Sequence, residues 1–151
     1  VAEIIQTRWV QLSQEPIDIA SAYSFLQDPA TGGISIFIGT TREWTNGHQT
    51  LSLTYESYQP MAQKEMHRLL DLAENQWPLQ KACLLHRLGK VPPTEASVVV
   101  GVASPHRAEA FEACQFLIDT LKMQVPIWKQ EERTDGEHWV QGSAPPENPI
   151  P

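Results

Sequence analysis

The chain has little of what usually marks catalytic and binding classes. Only two cysteines, Cys83 and Cys114, occur in 151 residues, too far apart for a metal knuckle or a CxxC redox pair. The five histidines form no HxH, no HExxH and no i, i+4 pair, so no metal is expected. Lys and Arg number 11 against 18 Asp and Glu, for a formal net charge of −7, which excludes the basic footprint of a general nucleic-acid binder. No apolar run nears the roughly 18 residues of a membrane-spanning helix, and the first residues do not read as a secretory signal, so a cytoplasmic protein is expected. GxSxG, GxxxxGK(S/T) and GxGxxG are all missing, so the usual catalytic sets are absent; no cofactor is expected either.

What is present is core material. Hydrophobic residues make up 41% of the chain and include five tryptophans, enough for one domain and too many for general disorder. "EIIQTRWVQL" reads as a first strand, and "IDIASAYSFLQ" as a short helix capped near Asp18. "GGISIFIGTT" alternates, with Ile34, Ile36 and Ile38 facing one way. "TLSLTYESY" alternates through Leu51, Leu53 and Tyr55. Between them, Asn46-Gly47 signals a hairpin, in a loop expected to be longer than a tight turn and mobile. "PMAQKEMHRLLDLAENQW" places Ala62, Met66, Leu69, Leu70, Ala73 and Trp77 at helical spacing before Pro78 ends the run. "KACLLHRLG" is a strand, Pro92-Pro93 a rigid loop, and "EASVVVGVA" a strand buried on both faces. A long helix from His106 ends near Val125, ahead of Pro126, and "PIWKQEER" and "EHWVQ" form two strands around Asp135-Gly136. The order β-α-β-β-α-β-β-α-β-β predicts a single-domain α+β sandwich with three main helices rather than a doubly wound sheet.

One stretch asks for a ligand. In "VASPHRAEAFEAC", Ser104-Pro105 is a helix-start signal that puts His106 and Arg107 in the first turn. The helix dipole is already positive there, so cations suit an anion-binding role, against the alternative of two solvated side chains. Arg42 ends the Ile34–Ile38 strand, Lys122 lies near the end of the long helix, and Lys129 follows the proline break on a strand. Each alone is most simply a solvated charge, and spacing does not show that they converge. Cys83 and Cys114 sit among apolar neighbours and read as core thiols. A basic site without a nucleophile suggests a protein that orients an anionic substrate while another molecule brings the reactive atom. A non-catalytic module for a phosphorylated small molecule, or a structural interaction domain with tryptophan hot spots, would use part of the same set.

"FIGTTRE", "YESYQPMAQKEM", "HRLGKVPPTEASVVVGVASPHRAEAFEACQFLIDTLKMQVPIWKQE" and "HWVQG", in that order, resemble the large subunit of molybdopterin synthase from about Gly33 to Gly142. The resemblance implies a hammerhead-like α/β sandwich with a mixed sheet, in a domain taken over residues 1–142; the tail over 143–151 is proline-rich and is expected from that composition to be disordered. It implies a sulfurtransferase that converts cyclic pyranopterin monophosphate (precursor Z) into molybdopterin. Sulfur comes from the C-terminal Gly-Gly thiocarboxylate of a small ubiquitin-like partner subunit. The chain ends Pro149-Ile150-Pro151, so it is expected to be the receiving subunit rather than the carrier. A homodimer that recruits two small subunits, a heterotetramer, is expected. Residue by residue, Arg42 matches the family's pocket arginine, with Thr40 and Thr41 before it; Thr40 stands where some members carry lysine. His106 and Arg107 match a substrate-holding His-Arg pair. Lys122 matches the lysine beside the thiocarboxylate, and Lys129 the second pocket lysine, with Gln130 and Glu131 following. Arg42, His106 and Arg107 are then expected to neutralise the anion, and Lys122 and Lys129 to act in catalysis.

Overall fold

The computed structural model describes residues 2–140. The boundary expected at residue 142 and the proline-rich tail over 143–151 lie outside the described residues. The first strand of the sequence reading is a hairpin, β1 (Ala2–Ile5) and β2 (Arg8–Ser13), paired antiparallel. The chain reverses at Gln6, which takes a left-handed backbone (φ 51°) without a Gly, Asn or Pro to announce it. Helix α1 (Ile19–Leu26) starts where expected: Asp18 caps it, its carboxylate accepting the Ser21 N–H at 3.1 Å.

Strand β3 (Gly33–Thr40) leads into a short β4 (Trp44–Thr45), which hairpins onto β5 (His48–Ser57). Asn46 and Gly47 both have positive φ, 48° and 81°, as a two-residue primed turn demands. The long loop of the sequence reading is therefore shortened by β4 to a tight hairpin. The β5 alternation also breaks once. A bulge between Thr50 and Ser52 leaves Leu51 unpaired and 43% exposed, while Thr50 and Ser52 are buried.

Helix α2 (Gln59–Gln76) buries Ala62, Met66, Leu69, Leu70 and Ala73 of the stripe read from its spacing; Trp77 is the C-cap, outside the helix, half-buried against the same core. Next come β6 (Lys81–Arg87), β7 (Gly89–Val91) and β8 (Ala96–Ser104). Helix α3 (Arg107–Gln124) is followed by β9 (Ile127–Arg133) and β10 (Gly136–Trp139). The α3 N-cap is His106 rather than Ser104, because Ser104 stays in β8, paired with Gly33.

Among the described residues, ten strands make two sheets. The first runs β1-β2-β6-β8-β3 and is mixed, with β2 and β6 parallel and the other neighbours antiparallel. The second runs β10-β9-β5-β4, with β7 also on β5. Strand β8 is central and buried on both faces, as its continuous apolar run predicted. Val98, Val100 and Val102 point to the core under α2 and α3; Val99 and Ala103 point to a second core under α1. Gly101 lies on the α1 side, where a Cβ would meet Leu26 Cδ1 at 2.6 Å, so only glycine lets α1 lie this close. Cys83 belongs to the α1 core and Cys114 to the other, both free. Burial pushes the Cys83 thiol up to about 12 and raises Cys114, so both are protonated core residues.

Candidate active site

The cavity opens where the ends of β3, β6 and β8 part from β5 and β9, beside the C-terminal turn of α3. Its volume is about 620 Å3. Arg42, Lys122, Lys129 and Glu131 line it, with Thr40, His48, Thr50, Tyr55, His86 and Ser97. None of the described lining residues is a cysteine.

Each cation arrives on a different element. The backbone before Arg42 is fixed by a turn. The Thr41 N–H donates to the Glu95 carbonyl at 3.2 Å, and the Thr94 N–H donates to the Thr41 carbonyl at 2.8 Å. Thr94 takes a left-handed backbone (φ 73°), unusual for a β-branched residue, and Glu95 is tied to Arg87 at 2.8 Å. The rigid Pro92-Pro93 segment thus seats the base of Arg42. Lys122 sits in the last turn of α3, where the dipole favours a cation, beside the buried Ile118, Leu121 and Val125. Lys129 pairs with Tyr55 across β5 and β9. The period of two on β9 sends Lys129 and Glu131 to the cavity with Ile127.

Among the described residues, no carboxylate forms an ion pair with Arg42, Lys122 or Lys129. Glu131, the one acidic residue of the lining, is held elsewhere: it accepts a short hydrogen bond from Thr50 Oγ1 and lies 3.1 Å from His48 Nε2. Burial, then Lys122 and Arg42, lower the Lys129 pKa, and Glu131 opposes them. Burial raises the Tyr55 phenol, and a hydrogen bond with Ser97 offsets part of that. Three cations around one engaged carboxylate, in a chain of net charge −7, form a site for an anion. No group of three or more His, Cys, Asp or Glu among the described residues could hold a metal ion.

The structure therefore brings together Thr40, Arg42, Lys122, Lys129 and Glu131. It does not bring Thr41, Gln130, His106 or Arg107 to the same lining. Thr41 is 3% exposed, folded under the Thr94 turn, with its hydroxyl unpartnered. Gln130 falls between Lys129 and Glu131 on β9 and so faces the other way, opposite Thr54 and Trp139. His106 and Arg107 lie at the far end of α3. Arg107 is separated from Lys122 by about 22 Å of helix at 1.5 Å per residue. Sequence reasoning passed over His86, whose one signal is a polar residue closing an apolar strand run, and the Thr50–His48 hold on Glu131.

Comparison with known proteins gives the family and the fold. The family described as MoaE protein matches residues 12–124. A molybdopterin synthase catalytic subunit of Halalkalibacterium halodurans is 40% identical over 129 residues, covering 85% of this chain and 83% of the relative. That of Arabidopsis thaliana is 42% identical, covering 84% of this chain and 64% of the relative. The Drosophila erecta subunit is 49% identical over 85% of this chain, but the chain spans only 35% of that relative's length. Among solved structures, molybdopterin synthase from Staphylococcus aureus superposes with a TM-score of 0.84 at 34% identity, covering 91% of this chain and 98% of that one. A complex of subunits 1 and 2 of molybdopterin-converting factor from Helicobacter pylori shares the fold, with a TM-score of 0.74 at 20% identity, covering 90% of this chain and 93% of that one. With 75% of its residues inside the family match and 83% of a 40% identical relative covered, the chain belongs to the MoaE family, that of the molybdopterin synthase catalytic subunits.

Proposed function

We propose that the chain is a sulfurtransferase that forms the dithiolene of molybdopterin. Sulfur is taken from the C-terminal thiocarboxylate of a small ubiquitin-like carrier and delivered to cyclic pyranopterin monophosphate. The observation that carries this reading is the cavity itself: three cations without an ion-pair partner among the described residues, and no thiol in the described lining. Such a site binds and polarises but supplies no sulfur, so the nucleophile comes from outside. Arg42 neutralises the anionic end of the substrate. As the thiocarboxylate sulfur bonds to a substrate carbon and that carbon's C–O bond breaks, Lys122 and Lys129 stabilise charge on the departing oxygen; water then cleaves the acyl–sulfur bond, leaving sulfur on the substrate and releasing the carrier's carboxylate. Burial among cations suits Lys129 to giving up a proton as well.

His106 and Arg107 fit this scheme only in trans. They stand at the opposite end of the sheet from the cavity, beside Gly33, whereas Thr40 at the other end of β3 lines it. For the pair to touch the same substrate, a second copy has to present it. This reading joins the expected homodimer to the expected substrate role. A strict monomer at micromolar concentration by light scattering would count against it. A cytoplasmic setting belongs to the same proposal, supported by two free, buried cysteines; no helix among the described residues is long and apolar enough to cross a membrane.

The deciding experiment mixes the protein with thiocarboxylated carrier and pyranopterin and assays dithiolene product. Product formation is expected. Tight pyranopterin binding with no product under any carrier would instead leave a non-catalytic binding module.

A further inference from the structure

His86 closes β6, behind Ala82, Cys83, Leu84 and Leu85, and is itself only 5% exposed. Its ring lines the cavity with Lys122 and Lys129. It stands edge-on to Tyr55, with centroids 4.9 Å apart and planes at 66°. Nδ1 lies 2.9 Å from the Arg87 carbonyl oxygen. A carbonyl only accepts, so the proton is on Nδ1. The ring is neutral: burial first, then the charges of Lys129 and Lys122, lower its pKa to about 4, against the Arg87 hydrogen bond. With its single proton committed to Nδ1, Nε2 is a bare acceptor. Among the described residues Nε2 has no hydrogen-bond partner, yet it is not one of the fully enclosed unpartnered polar atoms. It therefore opens onto the space the ring borders, which is the cavity.

The chemistry of the lining gives that acceptor a purpose. Arg42, Lys122 and Lys129 carry only donors while charged, and Glu131 is engaged by Thr50 and His48. These cations serve the anionic end of an occupant. A heterocyclic body bearing N–H groups needs acceptors, and a neutral one avoids drawing the cations onto itself. We infer that His86 Nε2 is a substrate contact, accepting a hydrogen bond from an N–H or O–H group on the uncharged body of the molecule that fills the cavity. The inference rests on the reading of the cavity as a pyranopterin site and adds a discriminating group to it. His86 selects for the ring system, and Arg42 for the charge.

The test separates ring from acceptor. His86→Phe keeps an aromatic ring against Tyr55 and removes the acceptor. Gln reaches the place of Nε2, whereas Asn reaches only that of Nδ1. Titration calorimetry, without carrier so that nothing turns over, measures the dissociation constant for cyclic pyranopterin monophosphate and separately for inorganic phosphate. His86→Phe and His86→Asn are expected to weaken pyranopterin binding about tenfold, one hydrogen bond's worth, and to leave phosphate binding alone. His86→Gln is expected to recover most of that loss. A folded His86→Phe or His86→Asn with wild-type pyranopterin affinity overturns the inference. So does an equal loss for Gln and Asn, or a parallel loss of phosphate binding, since either means that the ring only packs. Failure of the unsubstituted protein to bind pyranopterin overturns the reading of the cavity as well, whereas loss in Arg42→Ala alone leaves that reading standing and removes His86 from it.

Discussion

The two ends of α3 both carry cations, and they differ in nearly everything else. At the C-terminal end, Lys122 and Arg42, themselves exposed, join the half-buried Lys129 around a partly open cavity lined from both sheets. At the N-terminal end, His106 and Arg107 are exposed, and the His106 cap makes no side-chain hydrogen bond. The dipole sharpens the contrast, because a helix stabilises a cation at its C-terminus and disfavours one at its N-terminus. Lys122 is therefore where stability would put a lysine, whereas Arg107 is where stability would put an acid. A residue placed against its local electrostatics asks for a ligand or a partner. On this view the cavity end runs the chemistry, and the open end waits for a surface from elsewhere.

The largest effect should come from the cavity end. Lys122→Ala is expected to cut sulfur transfer about 100- to 1000-fold, the size of a lost transition-state charge contact, with the far-ultraviolet circular dichroism unchanged. The Cys83→Ala, Cys114→Ala double variant should retain transfer, because both thiols are buried and protonated. A folded cysteine-free protein without activity, beside an active Lys122→Ala, would reverse the roles assigned to thiol and amine.

Next in size is an acid sensitivity confined to the cavity end. His86 is held neutral, with a folded-state pKa near 4 against an ordinary 6.5. The unfolded chain then binds a proton that the folded chain refuses, so stability is intact above pH 6.5 and is lost as pH falls toward 4. Over that window the loss from this group is about 3 kcal/mol. Urea melts at pH 7 and pH 4.5 should show most of it, and His86→Phe should flatten that part of the slope. An unchanged slope would mean that the ring titrates freely and the cavity is wetter than its geometry implies.

Arg107 then tests the open end. Arg107→Ala should weaken substrate binding by about 1.5–3 kcal/mol, a charge-assisted contact, without unfolding the protein. If the contact is made in trans, Arg107→Ala and Lys122→Ala chains, each impaired alone, should complement on subunit exchange. Each mixed dimer keeps one intact site, so about one quarter of wild-type activity should return. No recovery in verified mixed dimers would place Arg107 outside the substrate site.

How far the sequence shows this depends on the range of the interaction. Local signals carried well: the Asp18 cap, the Asn46-Gly47 turn, the stripe of α2 and the apolar run of β8 all appear where spacing put them. The turn at Gln6 did not, because a non-glycine residue in the left-handed region leaves no mark in composition, and two strands read as one. The bulge at Leu51 was hidden for a similar reason. At the site, alternation on β9 alone would have separated Gln130 from Lys129 and Glu131; reading "WKQE" as a block merged them. The convergence of Arg42, Lys122 and Lys129 depends on the β6-β8-β3 order and on β5 pairing with β9. Those are long-range pairings with no local signature. His86 looked like core because it is core, apart from one nitrogen.

The smallest effect is the sharpest comparison of function with stability. Lys129 is half-buried beside two other cations, and burial, Lys122 and Arg42 all lower its pKa from the ordinary 10.5. At neutral pH the folded protein carries that charge at a cost the unfolded chain does not bear. A group whose folded pKa is depressed this way gains stability as pH rises from its folded pKa to 10.5, where both states become neutral. Lys129→Met keeps an unbranched stem and removes the charge. It should melt at or above the wild-type temperature at pH 7, by about 1–3 °C, while losing sulfur transfer. The gap should close as the pH approaches 10.5, since wild-type Lys129 is then uncharged in both states. The open end supplies the control: His106 and Arg107 are exposed, so Arg107→Met should move the melting temperature little at either pH. A Lys129→Met protein that melts well below wild type at pH 7 would show that the lysine is there to hold β9 in place, and the claim that the cavity end sacrifices stability for chemistry would fail.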